Sequence, residues 1–435
     1  MSRKRVLVIT YYWPPSGGSG VQRWVKFTKY LCEFGWEPVI YTPENPEAPA
    51  HDPGLMRDVP KNLEIIKTKI WEPYSIYKKF IGADENARIG TGFLSEESKP
   101  KLTEMLSVWI RGNLFIPDAR RYWIRPSVRF LEKYLVEHPV DAIVSTGPPH
   151  SMHLIARQLH RKQNIPWLSD FRDPWTDIDF YDDLRLSKWA DRKHHSLEAS
   201  VLNEADCVTV VSPTMRNDFQ AQTKTTVKLL TNGYDADDFP SELPGPGPEF
   251  TISHIGSMPP SRNPEVLWKA IAELKDEDPE LSKELRVRLV GPVDVSIFES
   301  IRNQNIDDYI DKIDYMPHDE VVIEQCSASV LLMIVNRSKN AKGILSGKFF
   351  EYIAAKRPIL CIGPEDSDIA QIIREKQLGY LVGYEDIDRM KLVIKKLYHA
   401  FKYDNLTVDS KSADEYLRKS LTKQLSEILN EVAAR

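Results

Sequence analysis

The chain has 435 residues, 42% of them hydrophobic and 28% charged, with a formal net charge of −5 at neutral pH. This length exceeds one ordinary hydrophobic core, so we expect two domains, and the small net charge argues against nucleic acid as a partner. The four cysteines, Cys32, Cys207, Cys326 and Cys361, have no zinc-binding spacing, which favours a reduced, cytoplasmic compartment.

Short runs rich in Val, Ile and Leu alternate with amphipathic segments along the chain. The first series is RVLVIT, EPVIYT, LEIIKT, DAIVSTG, PWLSDF, CVTVVS and VKLLTNG. After the breaker-rich SELPGPGPE, the pattern restarts with FTISHIG, LRVRLVGP, SVLLMIV and PILCIG. Such runs are typical of parallel strands that are covered on both faces.

These two series predict an α/β protein with two doubly wound, Rossmann-like domains that face a cleft. We assign residues 1–238 to the first domain, 239–409 to the second and 410–435 to a C-terminal helix. The densest apolar run, ASVLLMIV, falls short of the roughly 18 residues that suggest a membrane-spanning helix. Any membrane contact is therefore expected to be peripheral.

The loop YYWPPSGGSGVQR follows the first predicted strand. A dinucleotide fingerprint needs a third glycine where the chain has Arg23, and an acidic residue where the second strand ends VIYTP. The sequence therefore disfavours an NAD site. The glycines from Gly17 to Gly20 and the helix start after them suit an anion or a sugar, and the alternative is a tight turn that glycine permits.

Between residues 69 and 125 the alternation stops, and we recognise no clear βα unit there. The segment contains IWEPYSIYKKF and SVWIRGNLFIPDARRYWIRP, which are rich in aromatic and basic residues. So many aromatic residues argue against disorder, and a long insertion in a compact domain is usually functional.

The stretch GKFFEYIAAKRPILCIG, in the second domain, predicts a helix followed by a strand. Glu351 lies on this helix, near the carboxyl edge of the predicted sheet, where open α/β sheets bind ligands. Its carboxylate suits the two hydroxyls of a ribose, while Lys348 and the amides of Ser346 and Gly347 suit phosphates. The alternative is that Glu351 only caps the helix.

The stretch HIGSMPPSRNPEVL places Gly256 at the end of a strand and Arg262 just before a helix. A guanidinium beside a helix N-terminus suits a diphosphate, and the alternative is a solvated surface arginine.

Taken together, VLVITYYWPPSGGSGVQR, DAIVSTGPPHSMHLIA, DFRDPW, LLTNGYD, HIGSM and KFFEYIAAKRPIL resemble the GT-B glycosyltransferases of family 4. The resemblance covers nearly the whole chain and is most specific in the first loop and the KFFEY helix. It implies retaining, metal-independent transfer of a sugar from a nucleotide diphosphate donor. The donor would be held mainly by the second domain and the acceptor mainly by the first.

The resemblance assigns roles to individual residues. It implies that Glu351 binds the donor ribose, that Arg262 and Lys348 bind the diphosphate, and that Gly17 and Gly18 lie over the reacting centre. No cofactor is implied, because the nucleotide sugar is a co-substrate.

The chain departs from the family's pattern at two positions. Gly343 stands where the family commonly has the first Glu of a Glu, seven residues, Glu motif, so that contact to the donor sugar is lost or is made by backbone amides around residues 344–346. Arg172 stands where many members have a His.

Other polar residues near strand ends are candidates within this framework. Arg172 suits the leaving diphosphate, and Asp170 or Asp173 suits an acceptor hydroxyl, unless the Asp and Arg of DFRDPW simply pair with each other. His150, in GPPHS, is a candidate proton carrier, with helix capping or packing as alternatives. The pair Asp177 and Asp179 has the spacing of a metal-binding D-x-D, which we reject because the second domain already supplies a donor site without metal.

His318, in MPHDE, is a candidate for contact with the nucleotide base, with a solvated histidine as the alternative.

The aromatic and basic insertion also gains an interpretation. Acceptors of such enzymes are often lipid-linked sugars, and several of its side chains suit an interfacial surface; the alternative is a side lobe packed on the first domain. These side chains are Trp109, Phe115, Arg120, Arg121, Tyr122 and Trp123.

We therefore expect a cytoplasmic glycosyltransferase, in contact with the inner face of the membrane, that uses a UDP-type nucleotide sugar and a glycan or lipid-linked acceptor. Polysaccharide or glycoconjugate biosynthesis is the expected setting. The alternatives are a nucleotide-sugar epimerase or hydrolase on the same fold, and an inactive scaffold.

Overall fold

The computed structural model describes residues 3–47, 51–72, 102–314, 316–406, 408 and 410–435. The chain forms two compact units. Unit 1 comprises Met1–Thr231 and Arg418–Arg435, and unit 2 comprises Asn232–Leu417.

Unit 1 contains one sheet of seven strands. The strands are β1 Lys4–Ile9, β2 Trp36–Pro43, β3 Glu64–Thr68, β4 Ala142–Gly147, β5 Trp167–Phe171, β6 Cys207–Val210 and β7 Val227–Leu229. Their order across the sheet is β3-β2-β1-β4-β5-β6-β7, and the paired neighbours are parallel. The order reverses between β1 and β4, which creates the crevice where open α/β sheets bind ligands.

Helices cover this sheet. They are α1 Ser19–Leu31, α2 Leu102–Leu114, α3 Arg121–Glu137, α4 Ser151–Gln163, α5 Lys188–Glu204, α6 Pro213–Gln222 and, from the chain's end, α14 Arg418–Ala433. Helix α14 packs on α1, because Leu421, Leu425 and Leu429 join the same buried cluster as Val21 and Trp24. The C-terminal helix therefore belongs to unit 1.

Unit 2 repeats the design with six strands in the order β10-β9-β8-β11-β12-β13. The strands are β8 Phe250–Ile255, β9 Leu285–Val290, β10 Ile310–Ile313, β11 Val330–Ile334, β12 Ile359–Ile362 and β13 Gly379–Val382. The helices are α7 Glu265–Glu277, α8 Pro279–Glu284, α9 Val295–Asn303, α10 His318–Ser327, α11 Gly347–Ala354, α12 Asp368–Glu375 and α13 Ile387–Lys402.

The runs FTISHI and VLLMI, which form β8 and β11, are buried along their whole length. These two strands are neighbours at the point where the order of the second sheet reverses. The loops that follow them therefore lie at the ligand-binding edge of unit 2.

The described part of the insertion is more regular than the sequence suggested. Residues 102–114 form α2, and α3 begins at Arg121. The sequence RYWIRPSVRFLEKYLVE places its buried residues three and four apart, as a helix on a core requires, and the aromatic content obscured this period. Residues 73–101 lie outside the described part of the chain.

Across the described residues, no helix combines the length and the apolar character needed to cross a membrane.

Candidate functional site

Helix α11 is fixed against the end of β8 in unit 2. The side chains of Phe349 and Phe350 are fully buried. The buried hydroxyl of Tyr352 accepts a hydrogen bond of 3.1 Å from the backbone N–H of Ile255. The helix therefore holds its polar residues at a defined place beside the ligand-binding edge.

Lys348 extends from the first turn of α11 over Gly256. A β-carbon placed on Gly256 would lie 2.6 Å from the Lys348 Nζ, and the φ of Gly256 is +116°. Glycine thus gives the ammonium room and adopts a backbone conformation that other residues avoid. Burial, followed by the nearby Arg262, lowers the pKa of Lys348 to about 8.

Arg262 lies in the same neighbourhood. Its Nε donates a 2.6 Å hydrogen bond to Asn336 Oδ1, and its Nη1 donates to the Ser257 carbonyl at 3.3 Å. The guanidinium is thus held beside the turn that follows β8. Arg262 is close enough to lower the pKa of Lys348, and two neighbouring cations make this turn attractive to an anion.

Glu351 lies one helical turn after Lys348 and is half-buried. Its Oε2 accepts a 3.2 Å hydrogen bond from Nε2 of Gln325, a fully buried residue of α10. The other carboxylate oxygen has no hydrogen bond in the described part of the chain. Glu351 is therefore oriented by a neighbour and does not cap α11, whose N-cap is Ser346.

The N-terminus of α11 completes the group. Ser346 is exposed and makes no side-chain capping bond, and the first turn, which begins at Gly347, has no acidic residue. The first amides of the helix are therefore directed toward the same region as Lys348. Gly343 ends a short 3-10 helix, Ala341–Gly343, just before this turn.

His254 lies beneath the cluster in β8 and was not identified from the sequence. It is buried, and its Nδ1 is 3.2 Å from the Leu332 carbonyl. Burial and the nearby Lys348 lower its pKa to about 3, so the ring is neutral at neutral pH. His318 begins α10, and its side chain lies outside the described part of the structure.

In unit 1, the glycine loop connects β1 to α1. Gly17 is buried, and Gly18 is exposed with a φ of 107° at the N-cap of α1. A β-carbon on Gly20 would overlap the guanidinium of Arg172. The loop and the DFRDPW segment are therefore in contact at the carboxyl edge of the first sheet.

Arg172 is held by backbone carbonyls of the turn after β4. Its Nε donates to Gly147 at 3.3 Å, and its Nη2 contacts the Pro148 carbonyl. Asp173, the next residue, is exposed. The structure thus brings Arg172 to the edge of the sheet beside Gly20 of the glycine loop, and Asp173 follows it in the chain.

Asp170 has a different role from the one expected. It is fully buried and accepts hydrogen bonds from Arg23 at 2.8 and 3.2 Å, so its partner is Arg23 and not Arg172. The side chains of Trp24, Thr146 and Thr209 supply further donors at 2.9 to 3.0 Å. With all these bonds the carboxylate cannot serve an acceptor hydroxyl, and that expectation is corrected.

Arg23, whose presence argued against a dinucleotide site, is the second half of this buried pair. Its Nη1 and Nη2 also donate to the carbonyls of Thr231 and Leu230, at 2.7 and 2.9 Å. The pair therefore ties α1, which follows the glycine loop, to β5 and to the segment after β7.

His150 is the N-cap residue of α4, but its side chain makes no capping bond. The ring stacks on Trp175 with 4.4 Å between centroids and an angle of 4°. Burial and the neighbouring His153 hold the pKa of His150 well below its usual range. His150 is therefore neutral at neutral pH, and its role as a proton carrier stays a prediction.

The N-terminus of α4 is capped by the insertion. Asp118 accepts hydrogen bonds from the N–H of Ser151 at 2.9 Å and from its hydroxyl at 2.8 Å. The adjacent Arg120 lies 3.1 Å from Glu72, and its guanidinium stacks 4.4 Å from the ring of Tyr11. The insertion thus contacts both the start of α4 and the loop that follows β1, at the same edge of the sheet.

Two residues expected at an interfacial surface are instead internal. Arg120 is only 7% exposed because it serves this ion pair. Trp123 is only 1% exposed, stacks on Tyr41 at 4.9 Å and donates to Thr68 Oγ1 at 3.0 Å. Trp109, Arg121 and Tyr122 are exposed, and Phe115 is half-buried.

Comparison with known proteins identifies the family of part of the chain. Residues 17–233 match the family model described as glycosyl transferase 4-like domain. No similar sequence was found among curated proteins.

Solved structures of similar fold cover nearly the whole chain. Sucrose-phosphate synthase from Thermosynechococcus elongatus has a TM-score of 0.61 and 14% identity, over 99% of this chain and 100% of that chain. Anabaena HepE, solved in complex with UDP-glucose, has a TM-score of 0.61 and 10% identity over 99% and 100%. S. aureus TarM, solved with UDP among its ligands, has a TM-score of 0.60 and 11% identity over 98% and 100%. Residues 17–233 are therefore a glycosyl transferase 4-like domain, and the whole chain shares the GT-B fold of these solved structures.

Proposed function

We propose that the chain transfers a sugar, with retention of configuration, from a nucleoside diphosphate donor held by unit 2 to a glycan or lipid-linked sugar acceptor. The observation that carries this proposal is the placement of Lys348 over Gly256, beside Arg262 and at the open N-terminus of α11. Glu351 lies one turn further along the same helix.

Each part of a nucleotide diphosphate has a partner in this arrangement. The two cations and the first amides of α11 would bind the diphosphate, because charge-assisted bonds and a helix N-terminus both favour anions. The carboxylate oxygen of Glu351 that is not bonded to Gln325 would accept a hydrogen bond from a ribose hydroxyl. UDP is the proposed nucleotide, since HepE and TarM were solved with UDP-glucose and UDP.

The same cations would stabilise the leaving group of the reaction. As the bond between sugar and diphosphate breaks, negative charge grows on the leaving phosphate, and fixed positive groups stabilise that charge more than the ground state. We propose that Lys348 and Arg262 do this without a metal ion. Unit 1 is proposed to contribute further groups to the transfer reaction, namely Arg172, Asp173, His150 and the loop of Gly17 and Gly18.

The acceptor and the cellular setting are proposed from surface and composition features outside the donor site. Exposed aromatic and basic residues of the insertion suit a lipid-linked acceptor at the inner face of a membrane. Four free cysteines suit the cytoplasm. We propose a role in the synthesis of a cell-surface polysaccharide or glycoconjugate.

A turnover assay tests the proposal. Nucleotide sugars would be incubated with the full chain, a chelator and either a mixture of lipid-linked and free glycans or no acceptor, and the release of nucleoside diphosphate would be measured. We expect release that depends on the acceptor and that falls at least about 100-fold in Lys348→Met, since removing one donor to a developing charge has this effect. Rapid release without acceptor would instead favour an epimerase or hydrolase, and no release with any donor would favour an inactive scaffold.

A further inference from the structure

One face of helix α3 carries an unusual series of basic residues. They recur at every fourth position, all are exposed, and they are Arg121, Arg125, Arg129 and Lys133. At this spacing the four side chains follow one another along the helix surface over about 18 Å. We call them the basic stripe.

The opposite face of α3 fixes which way the stripe points. Trp123, Ile124, Val128, Leu131 and Leu135 are buried in the core of unit 1. Because this apolar face is fully used, the helix cannot rotate to hide the charges. The basic stripe is therefore a permanent part of the surface.

Few negative charges compensate the stripe. Of the two acidic residues of α3, Glu132 pairs with Lys162 at 2.5 Å and Glu137 lies beyond the last member of the stripe. Among the residues that the structure describes, no carboxylate forms an ion pair with Arg125, Arg129 or Lys133. Like charges four residues apart repel each other, so this face favours an anionic partner.

Aromatic side chains run beside the charges. Tyr122 and Phe130, which are 46% and 41% exposed, lie next to members of the stripe on the same face. Trp71 is 55% exposed and contacts Tyr122 edge-on at 5.0 Å. Arg121 lies over the Tyr122 ring at 5.8 Å.

We propose that α3 lies against an anionic lipid surface, with the basic stripe on the lipid headgroups and Tyr122, Phe130 and Trp71 at their boundary with the acyl chains. A basic helix with amphipathic rings at one level has the composition of an interfacial helix, whereas a soluble polyanion would not require the exposed rings. The inference rests on the proposed function in one respect, because a lipid-linked acceptor would be presented at this surface.

Vesicle sedimentation with the full chain tests this inference. Vesicles of phosphatidylcholine alone would be compared with vesicles that also contain phosphatidylglycerol, at low and high salt. We expect binding to the anionic vesicles that weakens as salt rises, because exposed charges are screened. Equal binding to both kinds of vesicle, or to neither, would overturn the inference.

A triple variant identifies the surface. Each basic residue near an anionic membrane strengthens binding roughly five-fold, so neutralising three should weaken it about 100-fold. The variant is Arg125→Gln, Arg129→Gln and Lys133→Gln, and its matched control is Lys283→Gln, Arg302→Gln and Arg389→Gln, which removes the same charges from exposed positions of unit 2. A triple variant that binds anionic vesicles as the control does would contradict the inference.

Two further measurements separate the explanations. Tyr122→Ser with Phe130→Ser should weaken vesicle binding and leave binding to soluble heparin unchanged; equal loss for both would point to a soluble polyanion and overturn the inference. Nucleotide binding should be unchanged in the triple variant. A chain that binds anionic vesicles through the stripe but no nucleotide would contradict the proposed function and leave this inference standing.

Discussion

At the scale of single residues, Lys348 is the group whose ionisation is most informative. Burial and the neighbouring Arg262 lower the pKa of its ammonium group to about 8, although Glu351 opposes that shift. A bound diphosphate would stabilise the charged form and raise this pKa again. Ligand binding and proton uptake are therefore linked at Lys348.

This linkage predicts how nucleotide affinity depends on pH. Below a pH of about 8 the ammonium is already charged, and above it the ligand must bind together with a proton, so affinity should fall as pH rises. Titration calorimetry at pH 9 in buffers of different ionisation enthalpy should show proton uptake. Lys348→Met should bind weakly and with no proton uptake at this pH, and uptake that persists in the variant would assign the linkage to another group.

Gly256 offers a test of the space that the ammonium occupies. In Gly256→Ala the new methyl group would lie 2.6 Å from Lys348 Nζ at a φ of 116°. We expect a loss of about 1–2 kcal/mol in the stability of unit 2 from backbone strain, and weaker nucleotide binding because Lys348 must move. Hydrogen exchange and calorimetry measure the two effects. Gly245→Ala, where nothing lies within 4 Å of the new carbon, is the control and should change neither.

The buried pair of Asp170 and Arg23 predicts a large effect on stability. Burial alone would raise the pKa of Asp170, but the guanidinium of Arg23 and the other donors hold it below its usual range. Asp170→Asn keeps the shape and leaves Arg23 as an uncompensated buried charge, which should cost about 3 kcal/mol. Hydrogen exchange of the β5 amides would measure this loss, while Asp177→Asn, at an exposed position, should have little effect.

The depressed pKa also fixes the sign of the pH dependence. A carboxyl group of this kind stabilises the fold at pH values above its unfolded pKa of about 4, and this contribution is lost as the pH falls through the folded pKa. The stability of unit 1 should therefore decline less steeply with acid in Asp170→Asn than in the wild type. Equal slopes would show that Asp170 does not titrate with unfolding.

At the scale of elements, the N-terminus of α4 shows how the insertion supports unit 1. Asp118 accepts from the N–H and the hydroxyl of Ser151, as an external cap of the helix. Asp118→Ala should destabilise this helix by about 1 kcal/mol and speed amide exchange in its first turn. Asp177→Ala, at an exposed position of unit 1, should leave that exchange rate unchanged. Unchanged exchange in Asp118→Ala would show that the cap does not stabilise α4.

Elements with a strong local pattern were predictable from sequence. The strands that form β8 and β11 are continuous apolar runs, and GKFFEY combines a helix start with an apolar face, so the placement of Lys348 and Glu351 on one helix followed directly. The predicted fold class was confirmed by the two sheets, and residues 17–233 match the predicted kind of family.

Pairings between distant residues were not predictable in this way. Arg23 and Asp170 are 147 positions apart, and nothing local in either segment indicates that their side chains form a buried ion pair. Likewise, Trp123 and Tyr122 are neighbours in sequence with opposite exposures, which only the orientation of α3 decides. Such pairings depend on tertiary packing, which secondary-structure propensity and residue spacing do not predict.

At the scale of the whole molecule, the chain uses one strand order twice. In both sheets the spatial order of the parallel strands reverses at the fourth strand along the chain. Each sheet carries glycine-containing loops at the edge where the order reverses. Lys348 and Arg262 lie close together in unit 2, whereas in unit 1 Arg23 is buried in a pair with Asp170 and Arg172 is bonded to backbone carbonyls. We therefore propose that unit 2 binds the donor.

The central claim is that unit 2 binds the nucleotide diphosphate through the first two turns of α11. Calorimetric titration of the full chain with a panel of nucleoside diphosphates, without added metal, tests it most directly on the wild type, Glu351→Ala and the exposed control Glu365→Ala. We predict that one nucleotide binds, that Glu351→Ala weakens its binding at least about 10-fold, as the loss of a charged hydrogen bond implies, and that Glu365→Ala does not. Binding that is equally strong in Glu351→Ala, or no binding of any nucleotide, would contradict the account.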